Sequence, residues 1–223
     1  MKKYGMVIDL KRCFGCRACA AACKTENAVQ SGNYWLFVLE YEQGKYPNVR
    51  RNFVPMNCMH CEDPPCLKAC PEKAIYKNEY GVVLFDYQKC KGRRYCIAAC
   101  PYGVINYIEK EKTFYPVNNP DKGPTPYEKL PVQATHPLHR KRAKIAEKCI
   151  LCWHRLEKAI KDGKKPGTDY DTSPACIPVC PANARFFGDL NDPNSEVSQL
   201  IAKKRATQLK KEFGTRPQVY YII

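Results

Sequence analysis

The 223-residue sequence lacks any run of about 18 apolar residues, and this excludes a transmembrane helix. Residues 1–10 contain no extended apolar core, so no signal peptide of the usual kind is predicted there. The CxxC pairs that end at Cys61 and Cys152 are not followed by histidine, which excludes attachment of c-type haem. Acidic residues are also relatively few: the sequence contains 22 Asp and Glu and 37 Lys and Arg.

Cysteine, by contrast, is abundant, although one expected cysteine is absent. The 15 cysteines fall into four runs: Cys13, Cys16, Cys19 and Cys23; Cys58, Cys61, Cys66 and Cys70; Cys90, Cys96 and Cys100; and Cys149, Cys152, Cys176 and Cys180. The first run follows C-x2-C-x2-C-x3-C, and the third does so except that Arg93 stands at the second cysteine position. This is the ligand spacing of bacterial-type [4Fe–4S] ferredoxins.

Two other uses of cysteine fit these runs poorly. A disulfide framework conflicts with the odd count and with spacings of two and three residues, which would close very tight loops. Tetrahedral zinc sites would use the CxxC pairs but have no need of a further cysteine three residues on, followed by proline. We therefore interpret the four runs as ligands of iron–sulfur clusters.

The formal net charge of +15 would also suit a nucleic-acid-binding protein. A bound cluster with its thiolates carries about −2, so four clusters reduce the net charge to roughly +7. We therefore expect part of the Lys and Arg excess to screen the clusters, and we do not expect nucleic acid as a partner.

The pattern around the runs repeats in a nested order. The second and third runs are joined by a predicted β-hairpin, with strands near 74–76 and 82–85. Residues 6–12 before the first run resemble those before the third, and residues 182–188 after the fourth run resemble those after the second. We therefore predict an α+β fold of two nested bacterial-ferredoxin-like units of the βαββαβ type.

The predicted boundaries follow from this pairing. One unit comprises 1–30 with 146–191 and the other 56–108, while 31–55 and 109–145 are insertions and 192–223 form a C-terminal helix and tail. The first insertion is predicted to be extended, and the second is a proline-rich loop with a basic cluster at 139–142, either solvated or docked on a partner. Leu209 is expected on the apolar face of the C-terminal helix and Gly214 at its C-cap. The apolar tail is expected to pack on the body or on another subunit.

Four sites follow, because in ferredoxins three cysteines of a run hold one cluster and the fourth crosses to its partner. We name them site A (Cys13, Cys16, Cys19, Cys180), site B (Cys23, Cys149, Cys152, Cys176), site C (Cys58, Cys61, Cys66, Cys100) and site D (Cys70, Cys90, Cys96, with Arg93 at the vacant ligand position). Sites A to C are predicted to bind [4Fe–4S] clusters.

Site D should differ because arginine stays protonated and is a poor iron ligand. Three thiolates favour a [3Fe–4S] cluster. A [4Fe–4S] cluster with water, hydroxide or another residue at the open iron is one alternative, and an empty site is the other. We also expect the Arg93 guanidinium to stabilise the reduced cluster through its charge and its N–H donors.

Over nearly its whole length the chain resembles the iron–sulfur (beta) subunits of the molybdopterin oxidoreductase superfamily. The residues that carry the resemblance are 6–9, 58–61, 63–66, 99–105, 182–193 and 214–217. Within the superfamily the chain is most similar to subunits of polysulfide, thiosulfate, tetrathionate and arsenate respiratory reductases. Arg93 is a departure, since those relatives usually have cysteine there, whereas the nitrate reductase beta subunit has tryptophan and a [3Fe–4S] cluster.

The resemblance implies a non-catalytic subunit that relays electrons in the anaerobic respiration of a sulfur or arsenic compound. Its partners would be a large catalytic subunit with a bis-pterin molybdenum or tungsten site and a membrane-anchored, quinone-reactive subunit. It would be membrane-associated through them, on the outer face by co-export with a catalytic subunit that carries a twin-arginine signal, or else on the cytoplasmic face. The proline-rich loop and the tail are the segments expected to contact the partners.

A free, soluble polyferredoxin carrier is the alternative function. An independent enzyme finds little support, because no nucleophile–base arrangement and no pterin or flavin motif is visible. His60 and His154 are expected to be supporting or surface residues, and Trp35 and Trp153 to be packing residues.

Overall fold

The computed structural model describes residues 2–112, 125–139 and 142–223, and these ranges form an α+β fold, as predicted. The strands are β1 (Tyr4–Asp9), β2 (Leu36–Lys45), β3 (Asn48–Asn57), β4 (Ile75–Lys77), β5 (Val83–Phe85), β6 (Asn106–Ile108), β7 (Ile145–Glu147), β8 (Arg185–Asp189) and β9 (Val219–Ile222). The α-helices are α1 (Ala18–Glu26), α2 (Pro65–Lys68), α3 (Tyr95–Ala99), α4 (Trp153–Lys161) and α5 (Glu196–Lys204).

The two ends of the chain meet in one sheet, with strand order β8-β1-β9. Strand β1 is buried throughout, pairs antiparallel with β8, where Met6 faces Phe187, and pairs parallel with β9, where Met6 faces Val219. Gly5 permits this close approach, because a Cβ there would lie 2.4 Å from the Gln218 carbonyl oxygen. The tail therefore packs on the body of the chain, the first of its two expected placements.

The predicted hairpin between the second and third cysteine runs is present as β4 and β5, with Ile75 facing Phe85. The Asn78 side chain holds the turn, since its Oδ1 accepts the backbone N–H groups of Tyr80 and Val82. Gly81 adopts a φ of 79°, which glycine allows at low cost. Local sequence chemistry therefore accounts for this hairpin.

The first insertion is extended, as predicted, and forms a long β2–β3 hairpin. Its base is buried at Leu36 and Met56, whereas its far part is exposed, with Tyr41 and Val49 about half exposed. The hairpin therefore rests on the core by one end.

The second insertion leaves and rejoins the body between paired strands, because β6 lies antiparallel to β7. Three 3₁₀ turns lie between residues 127 and 139. The remainder of the predicted proline-rich loop, 113–124, and two residues of the basic cluster, 140–141, lie outside the described residues.

Helix α1 continues past Cys23 to Glu26, since no proline follows that cysteine to end the helix. Helix α5 begins at Glu196, within the predicted C-terminal segment 192–223, and Ser195 Oγ accepts the Ser198 N–H there.

The prediction for the end of α5 was wrong. The helix ends at Lys204 with Arg205 in the left-handed region, so Leu209 lies beyond it. Thr207 then exchanges backbone hydrogen bonds with Tyr221 of β9, which turns the chain back towards the sheet. Gly214 instead follows a short 3₁₀ turn at Lys211–Phe213.

The main apolar core contains side chains of the sheet, such as Ile8 and Tyr221, together with Leu156 of α4. Cysteines from three runs belong to the same core: Cys19, Cys23, Cys58, Cys61, Cys149 and Cys176. The core is thus built around the cysteine sites.

In the described ranges, no helix is long and apolar enough to cross a membrane.

Candidate metal centres

The loops that carry Cys16 and Arg93 have matching backbones. Gly15 has φ 77° and Gly92 has φ 66°, and each precedes the position of interest. The next residues, Arg17 and Arg94, have φ 62° and 64° and directly precede helices α1 and α3. Arg93 therefore occupies in its loop the position that Cys16 occupies in the first run.

The cysteines predicted for site A lie together although they come from opposite ends of the chain. The Cys13 thiol interacts electrostatically with Cys180 and Cys16, and the Cys19 thiol interacts with Cys180 and Cys13. Cys16 is exposed, whereas Cys19 is buried. The Ala184 N–H also donates to Cys180 Sγ over 3.4 Å. One side of this group of thiols therefore faces solvent.

The cysteines predicted for site B are all buried and mutually close. Cys23 interacts electrostatically with Cys149, Cys152 and Cys176, and its burial raises the pKa of its thiol well above the usual value. Asn27 Nδ2 lies 3.7 Å from Cys23 Sγ and 3.8 Å from Cys152 Sγ, so one amide reaches sulfurs of two runs. Helix α1 places these groups, because Cys23 lies in its last turn and Asn27 directly follows its end.

The cysteines predicted for site C line one apolar cavity. Its walls include Cys58, Cys61, Cys66, Cys100, Met59, Pro65, Val83, Val104 and Ile105. The backbone N–H of His60 donates to Cys58 Sγ over 3.4 Å. Burial raises the pKa of the Cys61 thiol, and the Thr215 side chain partly offsets this increase. Apolar walls and N–H or O–H donors to sulfur are the surroundings that tune iron–sulfur clusters.

Cys70, Cys90 and Cys96 line a second cavity, and Arg93 lines it with them. The Arg93 side chain is 64% exposed, and its Nε lies 3.4 Å from Glu72 Oε1. The guanidinium is therefore directed to a surface carboxylate beside site D, a partner that the sequence did not indicate.

The four groups of cysteines follow one another in space. Cys19 of site A interacts with Cys176 of site B, and Cys149 of site B interacts with Cys58 of site C. Sites C and D share one apolar cluster, where α2 packs against α3. The order is therefore A, B, C, D, with half-buried or exposed cysteines at both ends and a fully buried group at site B.

The donor set fits iron–sulfur clusters. The described residues contain no three His, Cys, Asp or Glu side chains that could hold one metal ion, whereas a [4Fe–4S] cluster spreads its four cysteines over different irons. Arg185 is buried near Cys176 and Cys19, yet its Nε and Nη1 atoms have no hydrogen-bond partner. Such orphaned donors beside thiols suit the sulfurs of a cluster.

Burial raises the pKa values of the Cys61 and Cys96 thiols to about 11 and those of Cys66 and Cys149 to about 12. Iron binds the thiolate, so cluster insertion at these positions is coupled to release of protons.

The histidines and tryptophans have supporting positions. His60 is fully buried, and its Nδ1 accepts the Val83 N–H over 3.1 Å. His154 Nε2 lies 2.7 Å from Glu26 Oε1. Trp35 is buried and donates from Nε1 to Glu147, and Trp153 packs on Tyr80, so packing roles are confirmed for both.

The described part of the basic cluster is engaged within the chain. His139 Nδ1 pairs with the Tyr127 hydroxyl over 2.7 Å, and the Arg142 guanidinium stacks on Tyr87, 4.2 Å from the ring centroid. His139 and Arg142 thus each have a partner within the chain, and the two alternatives for the cluster, a solvated face or docking on a partner, stay predictions.

The comparisons with known proteins agree with this chemistry. Residues 49–116, which contain the second and third runs, match the family described as 4Fe-4S dicluster domain. The chain is 43% identical to a selenate reductase subunit from Mesobacillus selenatarsenatis, over 97% of this chain and 70% of that protein. It is 38% identical to the iron–sulfur subunit of arsenate respiratory reductase from Shewanella sp., over 99% and 96% of the two chains. It is 31% identical to a tetrathionate reductase subunit from Salmonella typhimurium, over 99% and 72%.

The chain belongs to the iron–sulfur (beta) subunits of the molybdopterin oxidoreductase superfamily. The resemblance seen in the sequence is thereby confirmed, as are iron–sulfur clusters as cofactors and an electron-transfer role.

Two buried cations near the cysteines were missed by the sequence analysis. Lys148 directly precedes Cys149 and is fully buried, and Arg185 is buried on β8. Arg185 carried a usable signal, because a lone arginine inside an otherwise apolar strand, Ala184–Phe187, needs a buried partner. Lys148 carried none, since a lysine beside a ligand run is ordinarily solvated.

Proposed function

We propose that this subunit is a linear relay of four iron–sulfur clusters, held at sites A to D. The observation that carries the proposal is the spatial order of the four groups of cysteines, which runs from exposed Cys16 through the buried site B to half-buried Cys70 and Cys90. Clusters supply one-electron transfer when bound. The chain itself holds them in sequence, keeps water from the middle sites and leaves both ends near the surface.

The ligand sets follow from the same neighbourhoods. Sites A, B and C each hold a [4Fe–4S] cluster on four cysteines, and site D holds a [3Fe–4S] cluster on Cys70, Cys90 and Cys96. The position of Arg93 supports the trinuclear cluster, since its guanidinium is mostly exposed and paired with Glu72. A fourth [4Fe–4S] cluster with a non-cysteine ligand is the alternative at site D.

Two nested units build this relay, residues 1–30 with 146–191 and residues 56–108. The antiparallel pairing of β1 with β8 supports the first, because these strands flank the first and fourth runs as β5 and β4 flank the third and second. In this view the β1–β8 pair corresponds to the β4–β5 hairpin, except that no turn leads from β8 to β1, because β1 comes first in the chain and β8 near its end.

The partners proposed are a large catalytic subunit with a molybdenum or tungsten bis-pterin site and a membrane-anchored, quinone-reactive subunit. The names of the relatives support this, since they are subunits of reductases for selenate, arsenate and tetrathionate, and one is a menaquinone reductase subunit. The proposed complex would then act on an oxidised sulfur or arsenic compound. The selenate reductase relative extends this class to oxidised selenium compounds. Association with the membrane would come through these partners, on the outer face.

Anaerobic purification of the tagged chain from its native host tests the proposal. We expect a stable stoichiometric complex with a large subunit on sizing, and iron and sulfide contents of four clusters per chain. EPR of the air-oxidised protein should show a [3Fe–4S]⁺ signal. Two clusters or fewer per chain would refute the relay, and full iron content without that signal would refute the trinuclear assignment.

The same preparation decides against the free carrier. A soluble polyferredoxin would elute alone with its full complement of clusters, and this result would overturn the assignment to a complex while leaving the relay intact.

A further inference from the structure

Two buried cations lie between neighbouring cysteine sites. Arg185 is 4% exposed, and its Nη2 lies 3.6 Å from Cys176 Sγ of site B and 3.0 Å from Asn57 Oδ1. It also interacts electrostatically with Cys19 of site A. Arg185 therefore lies between sites A and B.

Lys148 is placed in the same way between sites B and C. Its side chain is fully buried, and its Nζ donates to the carbonyl oxygens of Val83 and, over 3.1 Å, of Cys149. It interacts electrostatically with Cys58 and Cys66 of site C and with Cys149 of site B.

No carboxylate pairs with either cation within the described ranges 2–112, 125–139 and 142–223. A buried, unpaired charge costs several kcal/mol, so a compensating negative charge is required. The thiolates and clusters of the flanking sites are negative, and each reduction adds one further negative charge.

Hydrogen bonding to carbonyl groups does not by itself explain a lysine at position 148. Elsewhere in the core, Gln218 is 1% exposed and its Nε2 bonds the carbonyl oxygens of His60 and Gly81. A neutral amide thus meets the same need in this fold. What distinguishes Lys148 from Gln218 is its positive charge.

We propose that Arg185 and Lys148 are potential-setting residues, each raising the reduction potentials of the two clusters on either side of it. This inference rests on the proposed four-cluster relay. A fixed cation in a poorly screened interior lowers the free energy of the reduced cluster, and position between two sites makes it act on both. Site B then feels both cations, sites A and C feel one each, and site D feels neither.

The test is an EPR-monitored redox titration of the purified complex. Serine variants of one ligand in each site, such as Cys16→Ser for site A, assign the signals. In Lys148→Gln, which keeps a donor but loses the charge, we expect the reduction equilibrium constants of sites B and C to fall at least tenfold, about 59 mV for one electron. Sites A and D should keep their potentials.

Arg185 gives an independent pair of variants. Arg185→Gln should lower the reduction potentials of sites A and B by at least about 59 mV. Arg185→Lys keeps the charge, so its potentials should stay close to those of the wild type. Lys161→Met is the matched control, because it removes one positive charge from an exposed side chain and should leave all four potentials unchanged.

The outcomes separate the inference from the relay itself. Wild-type protein with two clusters or fewer per chain would refute the proposed function. Four clusters with unshifted potentials in Lys148→Gln and Arg185→Gln would refute only the role of the cations. Equal shifts in Arg185→Lys and Arg185→Gln would assign the effect to lost packing, and would also overturn the inference. Should a Lys148 variant fail to assemble its clusters, the Arg185 pair alone decides.

Discussion

Replacing Arg93 with cysteine should convert site D to a [4Fe–4S] site. The backbone is already suitable, because Gly92 and Arg94 have the conformations that Gly15 and Arg17 have around Cys16. A cysteine at position 93 would thus be presented as Cys16 is presented. We expect one additional iron per chain.

The cost to stability should be small. The Arg93 side chain is 64% exposed, and the pair that it forms with Glu72 is a surface ion pair at 3.4 Å. Such pairs contribute between about 0 and 1 kcal/mol, and solvent screens them. The variant should therefore stay folded, and a failure to gain iron would reflect the site itself.

The potential of site D should fall. The substitution removes a positive charge that is worth about 1 kcal/mol at a solvent-exposed position. The negative charge of the added thiolate is balanced by the additional positive charge of the core that gains an iron, so loss of the guanidinium sets the shift. A decrease of about 40 mV is expected, since about 59 mV corresponds to 1.4 kcal/mol for one electron. The [3Fe–4S]⁺ signal of the air-oxidised protein should disappear at the same time.

Iron and sulfide analysis with EPR on anaerobically purified protein is the assay. Arg94→Cys is the matched control, because it makes the same substitution one residue on, where the arginine instead stacks 3.8 Å from the centroid of the Tyr107 ring. Gain of iron in Arg94→Cys as well, or retention of the [3Fe–4S]⁺ signal in Arg93→Cys, would refute the reasoning.

Two further predictions concern stability. Tyr221→Phe removes a buried hydroxyl that donates to the Pro55 carbonyl over 2.9 Å, so anaerobic urea unfolding should show a loss of about 1 kcal/mol, whereas Tyr41→Phe on the exposed hairpin should show none. Glu26→Gln removes a carboxylate whose pKa is lowered by the hydrogen bond from His154 and then by Arg155, and the variant should be less stable by about 1 kcal/mol. The pKa of Glu26 is lower in the folded protein than the unfolded value of about 4.3. The difference in the free energy of unfolding between wild type and variant should therefore be complete above that pH and vanish as the pH falls through the folded pKa. A difference that persists in acid would contradict this prediction.

Short-range features of the fold were predictable from the sequence. The β4–β5 hairpin, the continuation of α1 past Cys23 and the start of α5 all depend on residues within a few positions of one another. The end of α5 was not predictable in this way, since it is decided by the bonds between Thr207 and the distant strand β9.

The same division holds at the candidate site. Cysteine spacing indicates iron–sulfur chemistry and singles out Arg93, because ligand runs are local and the geometry of a run follows from its spacing. The pairing of Arg93 could not be predicted from the sequence, since Glu72 follows a different run and neither side chain indicates the pair.

The sequence by itself determined the kind of cofactor and indicates its candidate ligands, because thiol chemistry and short spacings do not depend on the rest of the fold. Only the tertiary structure decided what surrounds them. Arg185 and Lys148 become buried between sites because β1 pairs with β8 and β6 with β7 across long stretches of chain. Such pairings are set by the packing of the whole core, and so are the charges that each cysteine site experiences.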